Sequence, residues 1–181
     1  MLRLGSNSPT RALILKKFGI DFIQNGGNFD EDLIKTTNPK SFCYEATKGK
    51  FNELYKKYGV NDMPLLVSDS VVTSSGELLR KAKDKADAKR MLELQSESET
   101  SVITCMIYKS MKKEVIDISI TTYEFGKFDE KHMDEYINSG ECFGKAGAIM
   151  VEGFCKPYIK SVKGYESTAM GLCAEKLLQF I

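Results

Sequence analysis

Leu2-Arg3-Leu4 reads as a short strand that runs straight into Gly5-Ser6-Asn7-Ser8-Pro9 and then a helix to about Phe18. A strand that hands over to a helix through one short turn starts a layered fold, with helices covering a sheet. Ser8 suits the N-cap and Pro9 the first helical position, where its missing N–H would have no partner in any case. Gly19 stops the helix. A second strand follows over Asp21 to Gln24, ahead of the loose Asn25-Gly26-Gly27-Asn28 turn.

The rest of the chain keeps mixing the two periods. Asn38-Pro39 starts a long helix in which Phe51, Leu54, Tyr55 and Tyr58 recur at helical spacing, and Gly59 closes it. Pro64 to Val67 is a buried apolar strand ending in Ser68-Asp69-Ser70, with a hairpin turn expected near Ser74-Ser75-Gly76. Ala88, Met91 and Leu92 mark a short amphipathic helix. Val102 to Tyr108 and Val115 to Thr122 are two strands joined by a Lys/Met turn. Ile116, Ile118 and Ile120 alternate with Asp117, Ser119 and Thr121, so the second of these strands is expected to show one face to water. Met133, Tyr136 and Ile137 mark a helix ending near Gly140. Met170, Cys173, Ala174, Leu177, Leu178 and Ile181 form the stripe of a final helix. The expected fold is α/β with a mixed sheet flanked by helices.

Composition narrows the function. Lys+Arg number 26 against 25 Asp+Glu, a balance that argues against a general nucleic-acid coat. The longest uncharged run, Thr100 to Tyr108, has nine residues, far short of a membrane span. Arg3 and Arg11 leave no room between them for a signal-peptide core, so a cytoplasmic protein is expected. The five cysteines include no C-x-x-C pair and read as reduced thiols. A single histidine, His132, excludes a multi-His metal site, and no role is assigned to it. Catalysis therefore has to rest on carboxylates, lysines, hydroxyls or a bound metal.

Four segments could carry it. Gly5 to Arg11 places backbone N–H groups, the Ser6 and Ser8 hydroxyls and a helix N-terminus around one point, which suits a phosphate that Arg11 could grip. It is neither a Walker loop nor a G-x-G-x-x-G fingerprint, and a plain capped helix would look the same. Asp69, directly after a buried strand, could ligate Mg²⁺, act as a base on water, or simply cap a turn. Asp30-Glu31-Asp32 offers hard oxygens for Mg²⁺, or a solvated acidic loop. Lys48, Lys81 and Lys145 are scattered cations. Lys145 stands in Gly144-Lys145-Ala146-Gly147-Ala148, where small residues permit close approach. The basic stretch Lys81 to Arg90 also carries Asp84 and Asp87, which reads as a solvated helix face and not an RNA-binding surface.

In order along the chain, these segments resemble the Maf family of nucleotide pyrophosphatases. The family opens with a strand and S-x-S-P-R-R, here Ser6-Asn7-Ser8-Pro9-Thr10-Arg11. An Asp-Glu pair follows as Asp30-Glu31, and a helical lysine as Lys48. Its G-A-D-T-V-V is Val67-Ser68-Asp69-Ser70-Val71-Val72, and its G-K-P is Arg80-Lys81-Ala82. Its D-K-A-G-A-Y-G-I-Q-G is Gly144 to Gly153, and a late V-G-L is Met170-Gly171-Leu172. The resemblance implies one domain over residues 1–181, similar to the inosine triphosphatase fold, with an elongated mixed sheet and a deep cleft between two lobes. It implies hydrolysis of a nucleoside triphosphate to monophosphate and pyrophosphate with Mg²⁺ or Mn²⁺, by a homodimer. On it, Asp69 is the proton acceptor, Glu31 and Asp69 hold the metal, and Ser6, Ser8, Arg11, Lys48, Lys81 and Lys145 bind substrate.

The departures fall at the three positions that set base specificity. The members acting on dTTP and UTP carry Arg, Thr and Gln where this chain has Thr10, Ser70 and Glu152. Glu152 matches the members acting on 7-methyl-GTP. A carboxylate only accepts hydrogen bonds, and guanine offers adjacent N1–H and N2–H₂ donors that uracil and thymine lack. A guanine-type base is therefore expected over pyrimidines. The competing expectation is a nucleotide-binding regulator of septum formation with little turnover, given the further departures at Ser68 and Gly144.

Overall fold

A computed structural model describes the whole chain, Met1–Ile181. Seven strands form one sheet: β1 (Leu2–Leu4), β2 (Phe22–Gln24), β3 (Leu65–Ser74), β4 (Glu77–Leu79), β5 (Glu99–Lys109), β6 (Glu114–Phe125) and β7 (Ile159–Lys163). Their order is β2-β1-β3-β5-β6-β7, with β4 paired to β3. β1 runs parallel to both β2 and β3, whereas β3–β4 and β6–β7 are antiparallel, so the sheet is mixed as expected. The helices are α1 (Pro9–Lys17), α2 (Pro39–Tyr58), α3 (Lys85–Gln95), α4 (Glu130–Ser139) and two single turns, α5 (Glu166–Ala169) and α6 (Ala174–Leu177). No helix is long and apolar enough to cross a membrane.

Two compact units share these elements. The first comprises Met1–Ser70, Ile103–Ser119 and Tyr165–Ile181, and the second Val71–Val102 and Ile120–Gly164. In the first unit, Leu2, Leu4, Ile14, Leu15, Leu66, Met106, Leu172 and Leu177 pack into one cluster, which seats α1 and α6 on the sheet. Phe51, Leu54 and Val60 pack with Leu65, Val67 and Ile107 in another cluster, which fixes α2. The second unit has an aromatic core in which Phe154 stacks on Tyr136 at 4.5 Å and meets Phe128 edge-on at 5.2 Å.

The helix starts follow their caps. Ser8 Oγ accepts from Arg11 N at 3.4 Å, Asn38 Oδ1 from Ser41 N at 3.0 Å, and Asp129 Oδ1 from His132 N at 2.8 Å. The expected hairpin turn is present: Ser75 and Gly76 join β3 to β4 with Ser74 opposite Glu77. His132 lies in the first turn of α4, its Nδ1 2.7 Å from the Tyr158 hydroxyl.

Two expectations are corrected, and a third is made specific. The strand expected over Pro64 to Val67 continues to Ser74, so Asp69 lies inside β3 and not after it. The long final helix does not form. Gly171 interrupts it with φ +109°, and its carbonyl accepts from Arg11 Nε at 2.8 Å and Ser68 Oγ at 2.9 Å, which takes it out of any helical ladder. On β6 the wet face is the isoleucine face: Ile116, Ile118 and Ile120 are 47%, 38% and 38% exposed. The polar face packs inward because its groups are paired. Lys176 Nζ reaches Asp117 Oδ1 at 2.6 Å, and Ser119 Oγ donates to the other Asp117 oxygen.

Candidate functional site

In the first unit, β1 ends at Leu4, and its register with Leu65 and Leu66 leaves Asp69 beyond its C-terminal end. Gly5 N donates to Leu66 O at 2.7 Å, and the chain then turns away into α1. Asp69 thus takes the place beside an ended parallel strand that the sequence expected at the end of its own strand. It is 8% exposed.

Two cations flank it. Lys50 Nζ, from α2, lies 2.8 Å from Asp69 Oδ2 and 2.6 Å from Glu31 Oε1. Arg11 Nη2 lies 3.6 Å from Asp69 Oδ1. Arg11 is itself held by Gly171 O through Nε and by Ser6 Oγ through Nη1 at 3.1 Å. Ser6 Oγ also accepts from Ser8 N at 3.1 Å, so two donors occupy its lone pairs and its own proton is left to donate. Gln24 Nε2 ties this loop down by donating to Ser6 O at 2.8 Å and Ser8 O at 3.1 Å.

Glu31 arrives by a separate device. The Phe29 ring lies over Gly49, where an added Cβ would come within 2.3 Å of the ring, so α2 needs a glycine there despite its helical cost. One turn on, the Glu53 carboxylate accepts from Asn28 N at 3.0 Å. Asp30 then caps the short 3-10 turn Glu31–Leu33 by accepting from Asp32 N at 2.9 Å. The acidic segment is thereby clamped to α2, with Glu31 on Lys50.

Lys50 has a displaced titration. Burial disfavours its charge, but the Asp69 carboxylate, and after it Glu31, outweigh that and hold the ammonium above its ordinary range. Beneath Asp69, the Cys43 thiol lies between Asp69 O at 3.3 Å and Ile103 O at 3.4 Å. Burial, with the Asp69 charge next, pushes that thiol far up, so it stays neutral beside the carboxylate. Cys105 is pushed up to about 11, mainly by burial. All five cysteines are free and buried.

The structure therefore gathers Ser6, Ser8, Arg11, Glu31 and Asp69 in the first unit, with Ser70 next along β3 and Thr10 in the first turn of α1. Lys48 is not among them. It is exposed on α2, its ammonium 5.5 Å over the Tyr44 ring. Lys50 stands between the carboxylates instead. It extends the buried stripe Cys43, Ala46, Thr47 and Leu54, and a stripe of period 3.6 is visible in the sequence. Lys48 falls on the opposite side of the helix.

Lys81, Lys145 and Glu152 belong to the second unit. Lys81 is exposed and bridges in antiparallel fashion to Ala146, and Lys145 Nζ donates to Glu141 O at 2.7 Å. Glu152 is exposed. The close approach expected at Gly147 is made by the protein itself: Gly147 N donates to Arg80 O at 2.9 Å, and Gln95 Nε2 donates to Gly147 O at 2.8 Å.

A family model described as Maf-like protein matches residues 1–181. The chain belongs to the Maf family. A protein of a Nitratiruptor species named nucleoside triphosphate pyrophosphatase is 49% identical to this Maf protein over 181 residues, covering 99% of this chain and 97% of the relative. A Helicobacter pylori protein of the same name is 40% identical over 177 residues, covering 98% and 93%. One from Campylobacter jejuni subsp. doylei is 36% identical over 185 residues and the full length of both chains. The Maf motifs read from the sequence thus belong to a likeness that runs from end to end.

Proposed function

We propose that this Maf protein hydrolyses nucleoside triphosphates to the monophosphate and pyrophosphate. Water bonds to the α-phosphorus, and the α–β anhydride bond breaks toward pyrophosphate. One observation carries the reading: the alternation Glu31, Lys50, Asp69, Arg11, partly buried beside the Ser6 to Ser8 loop at the N-terminus of α1. The name carried by full-length relatives supports it.

Asp69 takes the proton of the attacking water. Lys50 fixes Asp69 Oδ2, and Oδ1, with only Arg11 Nη2 at 3.6 Å, is the oxygen that accepts. Arg11, the Ser6 hydroxyl, Ser8 and the positive end of α1 bind phosphate. On the family resemblance Lys81 and Lys145 are further substrate-binding cations in this reading, and Lys48, on the side of α2 opposite Lys50, is left out of it.

The residues also fit a divalent cation. Glu31 Oε1 and Asp69 Oδ2 already converge on one positive group, Lys50 Nζ. A hard cation completed by substrate phosphates needs no more than one or two protein carboxylates. No group of three or more His, Cys, Asp or Glu gathers to form a closed metal site. The two cations and two carboxylates cancel, so alone they leave a triphosphate unneutralised. Glu31 and Asp69 would hold Mg²⁺ or Mn²⁺, which supplies charge neutralisation and polarises the phosphoryl oxygen.

Thr10, Ser70 and Glu152 set the base in this reading, with a guanine-type base such as that of 7-methyl-GTP favoured over dTTP or UTP. Steady-state rates of pyrophosphate release over a nucleotide panel test it. A guanine nucleotide is expected to exceed UTP and dTTP by at least ~10-fold in kcat/KM. The reverse order removes the preference and leaves the hydrolysis standing. Tight binding without pyrophosphate release favours the regulator of cell division. On the family resemblance, we extend the reading to a cytoplasmic homodimer.

A further inference from the structure

Ser70 and the two groups behind it, a hydroxyl and a carbonyl, form a chain whose proton positions are fixed by chemistry alone. Thr104 Oγ1 lies 2.7 Å from Thr168 O, a carbonyl, which can only accept. The single Thr104 proton is therefore committed to Thr168. Ser70 Oγ lies 2.7 Å from Thr104 Oγ1, and either oxygen could in principle donate. With the Thr104 proton spent, only Ser70 can donate in that bond. Its hydroxyl hydrogen points back into the fold, and what it has left to offer is lone pairs.

Ser70 is partly exposed, whereas Thr104 and Thr168 are buried. The space beside the Ser70 oxygen is kept clear by Gly171. A Cβ added there would lie 3.5 Å from Ser70 Oγ and 3.2 Å from Arg11 Nε, and the backbone φ of +109° disfavours a side chain in any case. The groups arranged around that bare glycine are an acceptor-only hydroxyl and a guanidinium.

We propose that Thr104 is a positioning residue for base selection: by taking the Ser70 proton it makes Ser70 an obligate hydrogen-bond acceptor, so the nucleotide edge facing Ser70 must donate. This rests on the reading of Ser70 as a base-contacting residue. It deepens that reading, because the same hydroxyl with a free rotor would serve donor and acceptor edges alike.

Calorimetry with the α,β-methylene analogues of GTP and ATP, in Mg²⁺, separates binding from turnover. The two bases differ at N1, a donor in guanine and an acceptor in adenine. Wild type is expected to prefer the guanine analogue by ~10-fold or more. Thr104→Val keeps the shape but releases the Ser70 proton, and the preference is expected to fall to within ~3-fold, while Thr104→Ser retains it. Ser70→Ala is expected to lose the preference too, and adding Thr104→Val to it is expected to change the ratio no further. Thr104→Val with an unchanged ratio overturns the proposal, and so does an equal loss in Thr104→Ser. So does a further shift on adding Thr104→Val to Ser70→Ala. Analogue binding with the predicted ratios but no pyrophosphate release from true substrates overturns the hydrolytic reading alone. Failure of wild type to bind either analogue overturns both.

Discussion

Asp69→Asn is expected to lower pyrophosphate release by 10²- to 10⁴-fold, the usual contribution of a positioned base, while nucleotide affinity changes far less. The asparagine keeps the shape and can still accept from Lys50 through its one carbonyl oxygen, while its amide NH₂ then faces Arg11. What it loses is the charge that takes a proton from water and that balances the flanking cations, 2.8 and 3.6 Å away. Single-turnover rates with saturating Mg²⁺ check this against a defect in product release. A variant that turns over within ~3-fold of wild type removes Asp69 from the chemistry.

Lys50→Met has the second large effect, on two observables. Removing the ammonium leaves Glu31 and Asp69 facing one another without the cation they share. The pair is only partly shielded from water, so the stability loss is at the modest end, about 1–3 kcal/mol. Activity is expected to fall by at least ~10²-fold, because Oδ2 of Asp69 loses its anchor. The alkaline limb identifies the cause. The Lys50 value is raised in the folded state, so its contribution is complete below the unfolded lysine value of about 10.4 and disappears as pH climbs through the folded value. The melting-temperature gap between wild type and Lys50→Met should hold from pH 7 to about 10 and shrink above that. A gap that is flat through pH 11 places the loss in packing and not in charge.

Much of the frame was legible in the sequence because local chemistry dictates it. Ser8-Pro9 and Asn38-Pro39 start helices by satisfying N–H groups, and Ser75-Gly76 takes the positive φ values a tight hairpin demands. The misreadings arose where tertiary contacts overrule local pattern. The stripe from Met170 to Ile181 has helical spacing, but Arg11 and Ser68, 160 and 103 residues earlier, claim the Gly171 carbonyl. Alternation on β6 gave the right period and hid which face is wet, since Lys176 makes Asp117 a comfortable inward residue. Of the candidates read from the sequence, the structure brings Ser6, Ser8, Arg11, Glu31 and Asp69 together. Lys50 was not among those candidates, although it lies two residues from Lys48 and so on nearly the opposite side of α2, in line with the buried stripe. The Ser70–Thr104–Thr168 chain left no trace in the sequence, because it joins residues 34 and 64 positions apart through side-chain geometry alone.

The balance of charge around Asp69 also bears on how the protein waits between substrates. Asp69 and Glu31 already share a cation from the chain, so the resting protein carries no unmet demand for an external ion. Stripping divalent ions with a chelator should stop turnover yet move the thermal midpoint by less than about 2 °C, in contrast to domains whose folding energy comes from a bound metal. The scaffold would then survive metal starvation intact and regain activity on replenishment with no refolding step.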